Sequence, residues 1–388
     1  MDTSQAKLTS PPQITPDELA RQLERGDRVQ VLDIRAAERV AAGRVGIGTG
    51  LEFHALPGSH IYKLPSLDSV GLEAQLPVAV ICGHGNSSQR MTHFLRERGL
   101  QAFSVTGGMA AWESVYVPRA LTPTATLSHV IQVDRIGKGA LSYILVSDRK
   151  ALVVDPGRHG ERYTSLLAEL EAQPVGVVDT HVHADYLSGA VDLAASWGVP
   201  YYLHAEDAAS PYDGTPARFE YQAIQDGQEI RWGRASLVVR HTPGHTLGSV
   251  TMVVDDDLAL TGDFIFLNSI GRPDLGGKAR EWGEKLWQSL EQARSHWTGD
   301  LLILPAHYAG EQERRADRVV AGRFDAIAAT NPALQISSHP QFLSWLENHA
   351  VPAPEVYRTI KLANLRLVQL AAAEAEIAES GANQCAVG

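Results

Sequence analysis

Along the chain, short continuous apolar runs alternate with stretches whose apolar residues recur every three to four positions. Thr15 followed by Pro16 predicts a helix start over TPDELARQLERG, and the β-branched runs VQVLDIR and Val78 to Ile81 read as buried strands. Gln89 to Arg98 carries helical spacing that ends at Gly99, and a third strand, QAFSVTG, leads through Gly107-Gly108 into a helical MAAWES. Strands alternating with helices predict an α/β unit. VYVPRALTPTAT then runs rich in Pro and Thr without periodicity, which places a domain boundary near Pro118 to Thr126.

Beyond that boundary the pattern changes. HVIQVDRI, SYILVSD and ALVVDPG follow one another with no helix between them, then come a helical ERYTSLLAELEAQ and a strand GVVDTHVHAD. ASLVVRHTPG, SVTMVVDD and LALTGDF alternate as strands before a helical EKLWQSLEQARSHW and a last strand, DLLILPAHY. Antiparallel runs flanked by helices predict two packed sheets with helices outside. After Asn331-Pro332, HPQFLSWLENH and PEVYRTIKLANLRLVQLAAAEAEIAES read as helices, and the terminal ANQCAVG as frayed.

At 388 residues the chain is long enough for about two or three domains. Its 44% hydrophobic and 20% charged residues are those of an ordinary globular protein that buries sizeable cores. A net charge of −11 lacks the basic footprint that nucleic acid or an anionic membrane requires, so neither is expected as a partner. The opening residues hold no apolar leader and no window approaches the ~18 apolar residues of a membrane span, so a cytoplasmic location is expected. Two cysteines, Cys82 and Cys385, are too few for a disulfide framework. Cys385 reads as an incidental tail residue.

Cys82 stands where a buried strand ends and a Gly-bearing loop, Cys82 to Ser87, leads into a helix. Amides of such a loop and the helix N-terminus would point at the sulfur, favouring the thiolate and a transferred, negatively charged sulfur. A small buried hydrophobe is the other reading, and spacing alone leaves both open. Fifteen histidines offer a second chemistry. His181, His183 and Asp185 in THVHADY, His245 in TPGHT, Asp263 in LTGDF and His307 in LPAHY all follow predicted strands, where loops can aim them at one metal ion.

CGHGNSSQR, with VLDIR, LPGSH and TGGMAAW, resembles the single-domain rhodaneses over residues 12–120. The resemblance implies a doubly wound parallel sheet and a persulfide on Cys82, cradled by the amides of Gly83, His84, Gly85, Asn86 and Ser87. Asp33, Arg35 and Trp112 are then scaffold. Ser87 stands where many members carry Arg, and VGIGTGLEFHALPGSH is longer than their usual connection.

From about Leu127 to Gly310 the motif series, with Asp155 in VVDPG, resembles the metallo-β-lactamase fold, an αββα sandwich. Tyr186 stands where H-x-H-x-D-H hydrolases such as glyoxalase II place a final His, which implies one metal rather than two. THVHADY, TPGHTLGSVT, TGDFIF, SIGRPDL, LPAHYAG and NPALQ are similar to the persulfide dioxygenases. That resemblance, over residues 121–367 with a helical tail at 368–388, implies one Fe(II) per chain on His181, His245 and Asp263. His183, Asp185 and His307 would then orient ligands and water around it. Arg272 would bind a carboxylate of the thiol carrier, with a salt bridge to Asp274 as the alternative. The implied activity is oxidation of glutathione persulfide by O2 to sulfite, coupled to rhodanese transfer involving thiosulfate or sulfite. A dimer is expected. The alternatives are a zinc thioester hydrolase with an accessory sulfurtransferase domain, and a non-enzymatic sulfide-responsive binding module.

Overall fold

The computed structural model describes residues 11–387. The chain divides into two compact units. One runs to Tyr116 and takes in Arg135–Lys138 and Ser380–Ala382; the other comprises Val117–Asp134, Gly139–Glu379 and the tail from Asn383.

In the first unit, β1 (Gln13–Ile14), β2 (Val29–Asp33), β3 (Leu51–Ala55), β4 (Val78–Ile81) and β5 (Ala102–Val105) form a sheet of order β1-β5-β4-β2-β3, every pair parallel. Thr15 caps the helix Pro16–Glu24, its hydroxyl accepting from the Glu18 amide at 3.2 Å. β2 and β4 are buried along their whole length, as their unbroken apolar runs predict. β3 lies at the sheet edge and is half-exposed, so LEFHA carries no strand pattern that sequence could reveal. Leu32, Val78, Val80, Met91 and Leu95 pack with Cys82 in one cluster.

Two further sheets build the second unit. The first contains β6 (Tyr116–Leu121), β7 (His129–Arg135), β8 (Ala140–Ser147), β9 (Lys150–Val154), β10 (Gln173–Val178), β11 (Tyr201–His204) and β12 (Gln222–Ile224), ordered β12-β11-β10-β9-β8-β7-β6. The other holds β13 (Glu229–Trp232), β14 (Ala235–His241), β15 (Val250–Val254), β16 (Leu258–Gly262), β17 (Leu302–Pro305) and β18 (Gly322–Arg323) in sequence order. Leu141, Tyr143, Leu145, Leu152 and Val154 face Leu237, Val239, Met252, Leu260 and Leu304 in one core between the sheets. On the outer face of the second sheet, Val253, Ala259 and Ile303 pack against Leu286, Leu290 and Ala293 of the helix Ala279–His296. No helix of the described residues is long and apolar enough to cross a membrane.

Three sequence expectations are corrected. YVPRAL is strand β6, not an aperiodic linker; it lies at a sheet edge, where proline is tolerated. The long helical reading from Pro354 breaks into Val356–Asn364 and Ala372–Ala378, with Arg366 between them at φ 57°. The tail 383–387 is not frayed: Ala386 bridges to Gly271, and the Val387 amide donates to the Ile270 carbonyl at 2.9 Å.

Candidate functional site

The end of β4 delivers Cys82 to the helix Asn86–Arg96, and the thiol is 6% exposed. Its sulfur accepts from the amides of Gly85 at 3.2 Å and Ser88 at 3.4 Å and lies 3.4 Å from the Ser88 hydroxyl. Burial pushes the thiol up, but the Ser88 hydroxyl and the amides of Ser88, Gly85 and His84 outweigh it and hold its pKa below the ordinary value. Gly85, at φ 85°, makes the turn, and a Cβ on Gly108 would stand 2.3 Å from the Cys82 carbonyl, so both must be glycine. Of the predicted cradle, His84 and Gly85 face the sulfur, while the side chains of His84, Asn86 and Ser87 are exposed. Ser88, missed in sequence, is the principal partner, and its hydroxyl is fixed by Ser104 at 2.8 Å. Buried Asp33 and half-buried Arg35 form a forked pair at 2.7–3.1 Å.

In the second unit the polar residues collect where β9, β10, β16 and β17 end, β9 parallel to β10 and β16 to β17. His181 follows β10, Asp263 follows β16, His307 follows β17, and His245 lies in the loop from β14 to β15. His181 Nε2 is 3.6 Å and His245 Nε2 3.3 Å from Asp263 Oδ2. All three atoms are buried and none has a hydrogen-bond partner. Orphaned polar atoms at such depth cost about 1–3 kcal/mol each, so the set calls for a cation between them. The three residues could hold a metal ion.

The protonation states suit that role. His245 Nδ1 lies 3.0 Å from the Arg272 carbonyl, which only accepts, so the proton sits on Nδ1 and Nε2 presents its lone pair. Thr180 Oγ1 donates to Asp155 at 2.8 Å and is therefore left to accept from His181 Nδ1 at 3.0 Å, with the same result. Burial, and the neighbouring cations, hold His181 well below its usual range, while burial lowers His245 to about 4. Burial works against the Asp263 carboxylate, yet His307 and His245 hold it below the usual range.

His183 packs edge-on against His181, ring centroids 4.3 Å apart, but its Nε2 serves a neighbouring group. Its Nε2 lies 3.3 Å from Asp155, 3.8 Å from Asp179 and 2.9 Å from the Tyr186 hydroxyl, and the Tyr186 ring stacks on it with centroids 4.3 Å apart. Burial opposes its charge, but the two carboxylates raise it to about 10. Tyr186 donates to the Asp155 carbonyl at 3.2 Å, so it belongs to this neighbouring group. His307 bridges, with Nδ1 2.6 Å from Asp263 and Nε2 3.0 Å from Asp185.

At Arg272 the structure shows the alternative reading, the salt bridge to Asp274, and at Cys385 it corrects the sequence reading. The Arg272 guanidinium forks onto Asp274 at 2.6 and 2.7 Å and donates to the Gln384 and Val351 carbonyls, leaving little to offer a ligand. It lines a cavity of about 520 Å³ with Pro273, Arg280 and His349. Cys385 is no incidental tail residue: it is fully buried, its carbonyl accepting from the Arg272 amide at 2.9 Å. Asp207 was also missed. Its carboxylate accepts from the Val182 and Gly248 amides, each at 2.7 Å, and from Thr246 at 2.8 Å, pinning the THVHADY loop to the TPGHT loop. Lys361 is a buried ammonium whose charge lowers both His181 and His245.

Comparison with known proteins bears on both units. The model of the metallo-beta-lactamase superfamily matches residues 135–329, half of the chain. The chain belongs to this superfamily. A rhodanese-like domain model matches residues 15–115 and assigns the parallel first sheet to that fold. Among curated relatives, the superfamily member is similar to a probable metallo-hydrolase, YqgX, of Bacillus subtilis, 33% identical over 43% of this chain and 81% of the relative. It is also similar to the mitochondrial persulfide dioxygenase ETHE1 of Homo sapiens, 31% identical over 56% of this chain and 79% of the relative. The crystal structure of ETHE1 from Myxococcus xanthus superimposes with a TM-score of 0.52 at 24% identity, covering 61% of this chain and 98% of that one, and supports the fold.

Proposed function

We propose that this metallo-β-lactamase superfamily member is a bifunctional sulfur-metabolism enzyme, a glutathione persulfide dioxygenase with a sulfurtransferase domain. The observation that carries the reading is the buried set His181, His245 and Asp263, two imidazoles and a carboxylate with unpartnered facing atoms. That is the ligand type of non-haem Fe(II) oxygenases, and the human relative's name points to the substrate class. One Fe(II) per chain held there would supply the dioxygen chemistry. Overall, persulfide, O2 and water give thiol and sulfite.

The protein's own groups position the rest. Asp207 fixes the two loops that carry His181 and His245. His307 orients Asp263 by a bond from Nδ1 to Oδ1. In the first unit, the Cys82 thiolate attacks the outer sulfur of thiosulfate and releases sulfite. An acceptor thiolate then takes that sulfur and regenerates Cys82. The amides of Gly85 and Ser88 stabilise the anionic sulfur at each stage.

The test is oxygen consumption by anaerobically iron-loaded protein on addition of glutathione persulfide, with zinc-loaded protein as control. Uptake with iron alone, matched by sulfite, is the expected outcome. Thioester hydrolysis by the zinc form without oxygen uptake would instead favour a hydrolase, the activity class of the Bacillus relative's name.

A further inference from the structure

The helix Val356–Asn364 is pinned to the loop that carries His181. At its last turn the Asn364 side-chain amide donates to the carbonyls of His183 and Tyr186, each at 2.9 Å, and its oxygen accepts from the Ser188 amide at 2.9 Å. Helix residues three and four positions apart share a face, so Lys361 and Tyr357 lie on the face that Asn364 turns to this loop. Both are buried, Lys361 to 2% exposure.

Each brings a proton donor that the protein leaves without an acceptor. The Tyr357 hydroxyl accepts from the Gln384 amide at 2.7 Å, so its own proton stays available. Among the described residues no hydrogen bond or ion pair engages the Lys361 ammonium, and the centroid of the Trp282 ring lies 6.0 Å from Nζ, the outer limit of a cation–π contact. A buried ammonium is costly unless an opposite charge meets it. The carboxylates whose fields reach it are Asp207 and Asp263, and both are already engaged, Asp207 by the Val182 and Gly248 amides and Thr246, Asp263 by His307.

The depth of Lys361 decides what would meet it. Its charge lowers both His181 and His245, so it stands beside the set read as the iron site and not at a solvent mouth. A divalent ion on that set would leave a surplus: two charges from the ion and one from Lys361 against one each from Asp207 and Asp263, with His307 and Asp185 offsetting each other 3.0 Å apart. A small anion removes the surplus and supplies the missing acceptor together. The hydrated carboxylates of a large thiol carrier do not suit a lysine this deep; the charged sulfur at its reacting end does.

We propose that Lys361, assisted by the Tyr357 hydroxyl, binds the small anionic sulfur group of substrate and product, a persulfide anion entering and sulfite leaving. Both residues donate hydrogen bonds and keep their protons, and no covalent bond forms at either. The identity of the anion rests on the persulfide reading above; its size and charge rest on the geometry alone.

The test is titration of Co²⁺-loaded protein with sulfite, followed by the visible absorption of the cobalt, which reports on the metal's surroundings and not on the Cys82 loop. A saturable change is expected for wild type. Lys361→Met keeps an apolar stem of similar length and should weaken the apparent affinity about tenfold or more with cobalt content unchanged, while Lys361→Arg, which restores the charge, should recover most of it. Tyr357→Phe should weaken it about three- to tenfold. With iron-loaded protein and glutathione persulfide, Lys361→Met should raise KM more than it lowers kcat. No sulfite response in wild type, an unchanged affinity in Lys361→Met, or loss of cobalt from that variant, the mark of a purely structural counter-charge, overturns the proposal. Should Lys361→Met fail to fold, an unchanged affinity in Tyr357→Phe overturns it equally. If wild-type iron protein consumes no oxygen while the Lys361-dependent sulfite response is present, the dioxygenase reading fails and the anion position stands.

Discussion

Each single residue of the two centres is set by which hydrogen its neighbour can spare. Thr180 gives its proton to Asp155 and so must accept from His181; Ser88 gives its one proton to the Gly85 carbonyl at 3.1 Å while the Cys82 thiol donates to it at 3.4 Å, and can turn that proton to the sulfur once the thiolate forms. The two centres lie in different units, so their losses should separate. Cys82→Ser is predicted to abolish thiosulfate sulfurtransfer and leave persulfide-driven oxygen uptake near wild type, whereas His245→Ala should lose iron and lower uptake at least a hundredfold with sulfurtransfer intact. Parallel assays of the two variants check this, and loss of both activities in either one would sink it. At this scale the sequence was legible wherever chemistry follows directly on an apolar strand, as at His181, Asp263 and His307. Ser88, Asp207 and Cys385 were not legible, because each acquires its place from partners between 6 and 113 positions away: Cys82, Gly248 and Arg272.

At the scale of elements, loop shape rests on a few close approaches. Gly108 sits at φ 62° with no room for a Cβ beneath Cys82. Gly108→Ala is predicted to cost about 1–2 kcal/mol from the left-handed backbone alone, with a further loss from the clash. Thermal unfolding should show the shift, and sulfurtransfer should fall more than oxygen uptake. Asp207 plays the matching part in the second unit, joining two loops through three hydrogen bonds. Asp207→Asn turns one acceptor oxygen into a donor facing amides, so metal affinity should drop roughly 10–100-fold, read by competition with a chelator. Regular elements with one unbroken buried face, such as β2, β4 and Ala279–His296, follow from sequence periodicity. Edge strands do not: β3 and β6 are stabilised on one side only, and their composition reflects solvent as much as the sheet.

Across the molecule, buried histidines of opposite character give stability a defined pH optimum. Unfolded, all titrate near 6.5. His181 and His245 are neutral when folded, so below about 6.5 the unfolded chain gains protons they refuse, and stability falls down to about pH 4. His183 and His307 hold their protons to about 10, a contribution complete below 6.5 and lost as pH climbs toward 10. The melting temperature of metal-free protein is therefore predicted to peak between about pH 6 and 7 and to decline on both sides; a monotonic profile would contradict it. Two units, their sheet types and the strand-end location of the histidines were all legible in the sequence, since each follows from local pattern. The docked tail was not, because nothing within ANQCAVG signals the loop segment Ile270–Arg272 it meets. Asp263 turns one oxygen to His181 and His245 and the other to His307. An ion drawing electron density from one oxygen weakens what the other can give, so the two ends act as a balance. By reciprocity, whatever factor a cation at the His181 and His245 end imposes on the proton shared with His307 is returned in full, so the state of either end re-tunes the other.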